Sequence, residues 1–390
     1  MGDRVVVMGG GSSGTSVFYH LAKFGFKDVV LVEERCLGCG QTGYSSAIIR
    51  TQYSHDETRK MAVYSWRFLR ERFNEETGCE SPVFHEIGVA YGAGDDQYEE
   101  VKGLVSKLVE EGVPVELLDP SEFSEKIHPI DTSGLRAVSW EPQGGYGEPH
   151  TLVSCFSKAG VELGGTITND SIVGLDLDHS GRVRGVRLLS GSTIKASYVV
   201  NALNVWSNRL LGKYGLEVPL TIAREDVVVF SHPHHRSGPA WADLVLGFYS
   251  RGEGETSTLV GGLEPEQLEK TANIEPGVYD PIPHDIIIAR GIASKRFKYI
   301  ENSTPKAAWY GFYDITPDWM PILGEDPRAE GLIHVVGLSG HGFKLSPALG
   351  KITADIIARG HTDLVNIETY SITRFTKTRQ ESKFKYKILG

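Results

Sequence analysis

Glycine recurs as Gly9, Gly11 and Gly14 in the run Gly9-Gly10-Gly11-Ser12-Ser13-Gly14, which satisfies G-x-G-x-x-G. That spacing suits the presentation of bare backbone N–H groups to an anionic pyrophosphate at a helix N-terminus. Gly9 permits the tight turn, Gly11 lets phosphate approach the backbone, and Gly14 allows close packing of helix on strand. Glu33 stands nineteen residues after Gly14, where a carboxylate can bind ribose hydroxyls. Glu34 beside it is a second carboxylate suited to the same role. Cys36 and Cys39 follow as Cys-x-x-Cys. They fit a redox pair, half a metal site, or small residues in a glycine-rich loop. No second pair follows at zinc spacing, so the last reading is preferred and no metal is expected.

The motif needs a strand before it and a helix after it. Residues 4–8 are a short β-branched run, as in a buried parallel strand. Val17, Leu21 and Ala22 then share a helical face, and 28–32 read as a second strand ending at Glu33. In this context the motif points to a dinucleotide. It does not separate NAD from FAD. The next segment, from Leu37 to Arg50, is a second small-residue loop. Its closeness to the ribose acid suits a larger, buried dinucleotide, FAD.

Further along, 56–77 and 97–112 read as helices, Gly144 to His150 as a turn-rich junction, and 151–163 as an apolar helix. Segments 166–177, 183–189 and 193–201 read as a β-meander. Residues 217–305 alternate like antiparallel strands, and Trp309 to Gly324 read as a loop. Leu332–Val336 reads as a strand, Gly337 to Lys344 as a loop, and 347–359 as a helix. The expected fold is α/β: a Rossmann-like FAD-binding domain with an interleaved antiparallel-sheet substrate domain. The first is assigned 1–80, 145–215 and 306–365, the second 81–144 and 216–305, with 366–390 a basic tail. The chain has 390 residues with 45 glycines and a net charge of −10. That charge argues against a nucleic-acid partner. No apolar stretch is long enough for a membrane span, and the start lacks a signal-peptide layout, so a cytoplasmic enzyme is the expectation.

Taken together, four separated motifs resemble the D-amino-acid oxidase superfamily, and within it the sarcosine oxidase branch. They are the dinucleotide motif with Glu33, the loop Gly40 to Ser45 leading to Arg50, the run Val200 to Ser207, and the pair Thr316 to Gly324 with Gly337 to Lys344. The resemblance covers roughly 4–365. It implies a cofactor set of Gly9, Gly11, Ser12, Ser13, Gly14, Glu33, Glu34, Gln41, Thr42, Ser45, Ser46, Val173, Ala202, Trp206, Gly311, Gly340, His341, Gly342, Phe343 and Lys344. The chain also departs from the family. Asn204 stands where glycine is usual. Monomeric sarcosine oxidases attach FAD through a cysteine in the region where this chain has Tyr310-Gly311-Phe312-Tyr313. Dimethylglycine dehydrogenase-like members use a histidine where it has Tyr44. The resemblance therefore implies non-covalent FAD. D-Amino acid and glycine oxidases carry a carboxylate-binding arginine where Tyr313 falls, which weighs against a D-amino acid substrate. The substrate-binding histidine of monomeric sarcosine oxidases has no match near Leu263.

The implied chemistry is oxidation of the C–N bond of a small amino acid, a sarcosine- or proline-like secondary amine, with oxygen as acceptor. An amino-acid substrate needs a cationic clamp for its carboxylate, and Arg50 offers a bidentate fork. Lys344 matches a lysine that the family places over the flavin, where it assists oxygen reduction. Tyr249 and Tyr313 are candidate pocket walls. Two alternatives stay open: a flavin dehydrogenase passing electrons to a partner subunit or quinone, and a non-catalytic FAD-binding subunit. Homo- or hetero-oligomerisation is also open.

Overall fold

The computed structural model describes residues 4–268, 274–279 and 282–377. The basic stretch from 378 onward, part of the expected tail, lies outside them. The first sheet is six-stranded. Val5–Met8 (β1) lies in it between Val29–Glu33 (β2) and Tyr198–Asn201 (β3), all parallel. Thr166–Asn169 extends it beyond β2, and Leu332–Val336 beyond β3, again in parallel. Ile322–Glu325 closes that edge antiparallel. Val5, Val6, Val7 and Met8 are all fully buried. A strand covered on both faces has no use for alternation, which is why this run is continuously apolar. Ser12–Phe24 (α1) and Gly342–Arg359 (α2) are among the helices packed on this sheet.

The second sheet has ten strands, almost all antiparallel. Its centre is a hairpin-rich set: Thr221–Ser231 (β4), Ala240–Asp243 (β5), Phe248–Gly252 (β6), Ser257–Gly262 (β7) and Thr304–Ile315 (β8). The strand Val89–Ala93 joins β5 in parallel and so ties residues near 90 to those near 240.

Several readings of the sequence are corrected. Thr304–Ile315 is a long strand, not the start of a loop, because it pairs with β4 along its length. Its aromatic residues alternate between the two faces, Trp309 and Tyr313 on one and Tyr310 and Phe312 on the other. The supposed meander divides between sheets: Thr166–Asn169 and β3 join the parallel sheet, while Ile172–Leu177, Val183–Leu188 and Thr193–Lys195 form a small antiparallel sheet of their own. Helix 56–77 is interrupted by a π-helical stretch at Phe68–Arg72. The last helix begins at Gly342, so Lys344 sits in its first turn and not in a loop. Pro347 obscured that start; the Ser346 hydroxyl donates instead to the Phe343 carbonyl. The Cys-x-x-Cys is neither a free pair nor merely filler: Cys36 is bonded to Cys39, and Cys79 to Cys155. Among the described residues no helix is long and apolar enough to cross a membrane.

One buried ion pair fastens the large sheet to the turn that follows the helix Pro283–Ala293. Asp243, at the end of β5, accepts from Arg296 Nε at 2.7 Å, from Trp241 Nε1 at 3.1 Å and from the Leu246 amide at 2.8 Å. Both charges are almost completely inaccessible. Removing one member strands the other in a low-dielectric interior. Asp243→Ala should therefore destabilise the fold by about 3–5 kcal/mol, read as a lower denaturant midpoint. An unchanged midpoint would show that the pair carries no such weight.

Candidate cofactor and substrate site

β1 ends at Met8, the chain turns through Gly9 at φ 101°, and α1 begins at Ser12. A Cβ on Gly14 would lie 1.9 Å from the Gly9 carbonyl oxygen, so only glycine lets the helix sit this close to the turn. Gly11 caps α1 and no side chain caps it in return. Its first turn therefore faces the adjoining cavity with backbone donors and the positive end of the helix dipole. Glu33, at the end of β2, accepts from the Gly10 amide at 2.8 Å. That bond fixes the carboxylate beside the glycine turn and leaves acceptor capacity over. The Thr42 hydroxyl accepts from the Ser12 amide at 3.0 Å, docking the second loop onto the first.

The second loop is also tied to the large sheet. Gln41 Oε1 accepts from the Phe312 amide at 2.8 Å, and the Tyr44 carbonyl accepts from Trp309 Nε1 at 3.0 Å. The cavity therefore lies between the two sheets, with a volume of about 460 Å³. Every residue singled out from the sequence lines it. From the parallel-sheet side come the glycine turn with Ser12 and Ser13, Glu33, Glu34, Val173, Ala202 and Trp206. The second loop brings Gln41, Thr42, Ser45 and Ser46. Gly311 and Tyr313 come from β8, Tyr249 from β6, and Gly340 to Lys344 from the start of α2. Asn204, where glycine was the usual residue, adopts φ 49°, a left-handed conformation that asparagine tolerates.

Two cations are buried in this wall. Arg50 stacks its guanidinium over Tyr53 at 4.1 Å and near Tyr91 at 5.6 Å, and it donates to the Gln52 carbonyl. Lys344 is buried as well, and no salt bridge joins it to a carboxylate among the described residues. Desolvation, with the Arg50 charge adding to it, pushes the Lys344 ammonium well below its ordinary value. His341, next to it, receives or gives one hydrogen bond through Nδ1 to the Tyr53 hydroxyl at 3.0 Å. Its buried Nε2 has no protein partner, so the wall retains polar capacity that a ligand can satisfy. Bare helix donors, a ribose-height carboxylate and unmet polar atoms along one cleft fit a large dinucleotide.

Reading the sequence missed three carboxyl groups. Glu141 accepts from the Thr51 amide with both oxygens, at 3.1 and 3.2 Å, and so fixes the chain next to Arg50. Burial pushes it up to about 7 against the pull of Thr51 and Arg50. Asp314 accepts from the Gly337 and Leu338 amides at 2.7 and 3.0 Å, holding the loop that leads to Lys344. Burial raises it to about 7 as well. Glu225 stands on β4 in the cavity wall. A signal for it existed: β4 alternates, and Glu225 falls between Ala223 and Val227 on the inward face. An ionisable residue at a core-facing position of a strand is rare unless something there needs its charge.

A family profile described as FAD dependent oxidoreductase (DAO) matches residues 4–356. Among curated proteins, the chain is 25% identical to FAD-dependent oxidoreductase domain-containing protein 1 of Xenopus laevis, over 95% of this chain and 82% of that protein. It is 27% identical to mitochondrial sarcosine dehydrogenase of Mus musculus, over 95% of this chain but only 41% of that longer protein. Among solved structures, L-proline dehydrogenase from P. horikoshii superposes with a TM-score of 0.86 at 25% identity, covering 98% of this chain and 99% of that one. Glycine oxidase from Geobacillus kaustophilus shares the fold, with a TM-score of 0.80 at 22% identity over 95% and 98% of the two chains. With the match running from the first strand into α2, through every loop that builds the cavity, the chain belongs to the DAO family of FAD dependent oxidoreductases.

Proposed function

We propose that this protein oxidises the C–N bond of a small amino acid, a secondary amine of the sarcosine or proline kind, with non-covalently held FAD and with oxygen as acceptor. One observation carries the reading: two buried cations, Arg50 and Lys344, line the same cavity as the glycine-rich dinucleotide loops. An incoming carboxylate offsets the cost of keeping both charges out of water. Arg50 presents a planar fork for it, held in place by Tyr53, Tyr91 and the Gln52 carbonyl. Gly9 to Gly14, Glu33, Gln41 and Thr42 would hold the dinucleotide. Bound FAD supplies the acceptor for the hydride equivalent, which no side chain here can supply. The protein's part is to orient the substrate, exclude water and keep positive charge at that end of the cavity.

In this reading 1–80, 145–215 and 306–365 serve the cofactor, and 81–144 with 216–305 the substrate. β8 is common to both, since it belongs to the large sheet while its Gly311 to Asp314 stretch lines the cavity. A second reading has the same reduction by amino acid but passes electrons to a partner subunit or quinone. The names of two relatives, sarcosine dehydrogenase and L-proline dehydrogenase, favour it.

Four outcomes are expected. Acid precipitation should release the yellow colour into the supernatant, because Tyr44 stands where one attachment uses histidine and the stretch Tyr310 to Tyr313 offers no cysteine for the other; colour held in the pellet overturns the non-covalent assignment. Gly14→Ala should lower the flavin-to-protein absorbance ratio, since its Cβ has only backbone to displace; a wild-type ratio would refute the cradle. Arg50→Ala should weaken apparent amino-acid affinity about tenfold or more, from loss of a charge-assisted bond worth roughly 1.5–3 kcal/mol, in anaerobic bleaching by sarcosine or proline. Lys344→Met should mainly slow reoxidation in air if oxygen is the acceptor. Slow wild-type reoxidation would select the dehydrogenase reading. Wild-type rates in both half-reactions for both variants would sink the site assignment.

A further inference from the structure

Two buried carboxyls, Asp314 and Glu225, line the cavity that holds the two buried cations; Asp314 is engaged by the Gly337 and Leu338 amides, and Glu225 has no cation beside it. Glu225 is 5% exposed and lines the cavity. It accepts from the Gly262 amide at 2.9 Å and is hydrogen-bonded to the Tyr249 hydroxyl, which lies 2.9 Å from Ser46 Oγ. No salt bridge reaches it among the described residues. Its sequence neighbour Asp226 adds negative charge, and burial pushes the carboxyl well above its usual range. Two neutral donors do not balance a buried anion. A cation brought in by a ligand would.

The sheet is shaped to aim this group. Tyr91, Ala242, Tyr249, Gly261 and Val227 are direct partners across five adjacent strands. Tyr91 carries the Arg50 guanidinium at one end of the row. At the other, Glu225 stands one inward position along from Val227. Tyr249 leans over Gly261 to reach it: a Cβ on Gly261 would lie 2.4 Å from the Tyr249 ring. Positive charge thus gathers at the Arg50 end of the wall, and the carboxyl stands apart from it.

We propose that Glu225 recognises the cationic nitrogen of the substrate, with Tyr249 and the Gly262 amide as its positioning groups, so that the cavity selects zwitterions over simple carboxylic acids. This deepens the reading given above and rests on it. As the free base is the form that gives up hydride, Glu225 also offers a place for the proton. The ammonium N–H bond breaks, its electron pair stays on nitrogen, and the proton goes to a Glu225 carboxylate oxygen.

The test uses the FAD-loaded enzyme and matched probes. Dissociation constants are measured for whichever of L-proline and sarcosine bleaches the wild-type flavin, from the saturation of anaerobic reduction. The amine-free acids cyclopentanecarboxylate, matched to proline, and butyrate, matched to sarcosine, are titrated by the perturbation of flavin absorbance. Glu225→Gln keeps an acceptor for Gly262 but cannot carry charge. It should weaken the amino acid about tenfold or more, while the amine-free acid binds within about twofold of wild type. Gly261→Ala, which displaces Tyr249, should move the same ratio in the same direction. Equal affinities of Glu225→Gln and wild type for the amino acid would overturn the proposal, and so would equal weakening of both probes. If neither amino acid bleaches wild type, the proposed function fails and this inference with it; bleaching of wild type with an unchanged variant removes this inference alone.

Discussion

Everything around the cavity is referred to one helix, α1, which is pressed against its neighbours more closely than side chains normally allow. Its Gly14 sits on the Gly9 carbonyl. Gly350 of α2 faces Ser16, with the site of its missing Cβ 2.3 Å from that hydroxyl, and Gly160 of the helix Pro149–Glu162 faces Phe18, its missing Cβ 2.4 Å from that ring. Three glycines on three segments therefore give α1 its place. His20, buried in the same contact, donates through Nδ1 to the Ser16 carbonyl, and burial lowers it to about 4, so the imidazole carries no charge at neutral pH. The consequence is functional. The N-terminus of α1 faces the dinucleotide end of the cavity, and α2 carries Lys344 in its own first turn. Packing of helix on helix thus sets the distance between cofactor loops and buried cation. A close-packed interior transmits such a constraint without slack.

The second sheet supplies what the first cannot. Parallel strands covered on both faces leave only their ends for chemistry, and there the glycine turn and Glu33 lie. An antiparallel sheet has a free face, on which inward positions repeat every second residue. Tyr249, Tyr313 and Glu225 occupy such positions on three strands and meet over the cofactor loops. Hydrogen bonds from Phe312 and Trp309 to Gln41 and Tyr44 lock the second loop onto the large sheet. The site belongs to neither sheet alone.

Charge is handled with the same economy. Arg50 is spread over two aromatic faces, Glu141 is held by the Thr51 amide, and Asp314 is held by two amides of the loop before α2. These partners are neutral or aromatic, unlike the buried ion pair of Asp243 with Arg296. Partners of that kind leave the charge of the wall incompletely balanced. A ligand that carries both signs satisfies it.

The sequence by itself determined the parts of this protein that rest on contiguous residues. The β-branched run, the glycine spacing and the acid at the next strand end are local, because turn, helix start and strand are within one short stretch. They announced a dinucleotide fold, and four such motifs in order carried the family. Only the tertiary structure decided the rest. Trp309–Ile315 read as the start of a loop because its glycine, aromatic residues and aspartate suggest turns, and only pairing with β4 makes it part of a strand. Pro347 concealed the true start of α2, since a proline can be carried inside a helix when a neighbouring hydroxyl serves the freed carbonyl. The thiols were read as loop filler, because bond formation depends on where the backbone brings them. Glu141 and Asp314 stayed silent for the same reason, and Glu225 gave only the hint of an acid at an inward strand position. Burial and partners are properties of the assembled sheet, and a carboxyl gains its unusual proton affinity only when distant strands have closed over it.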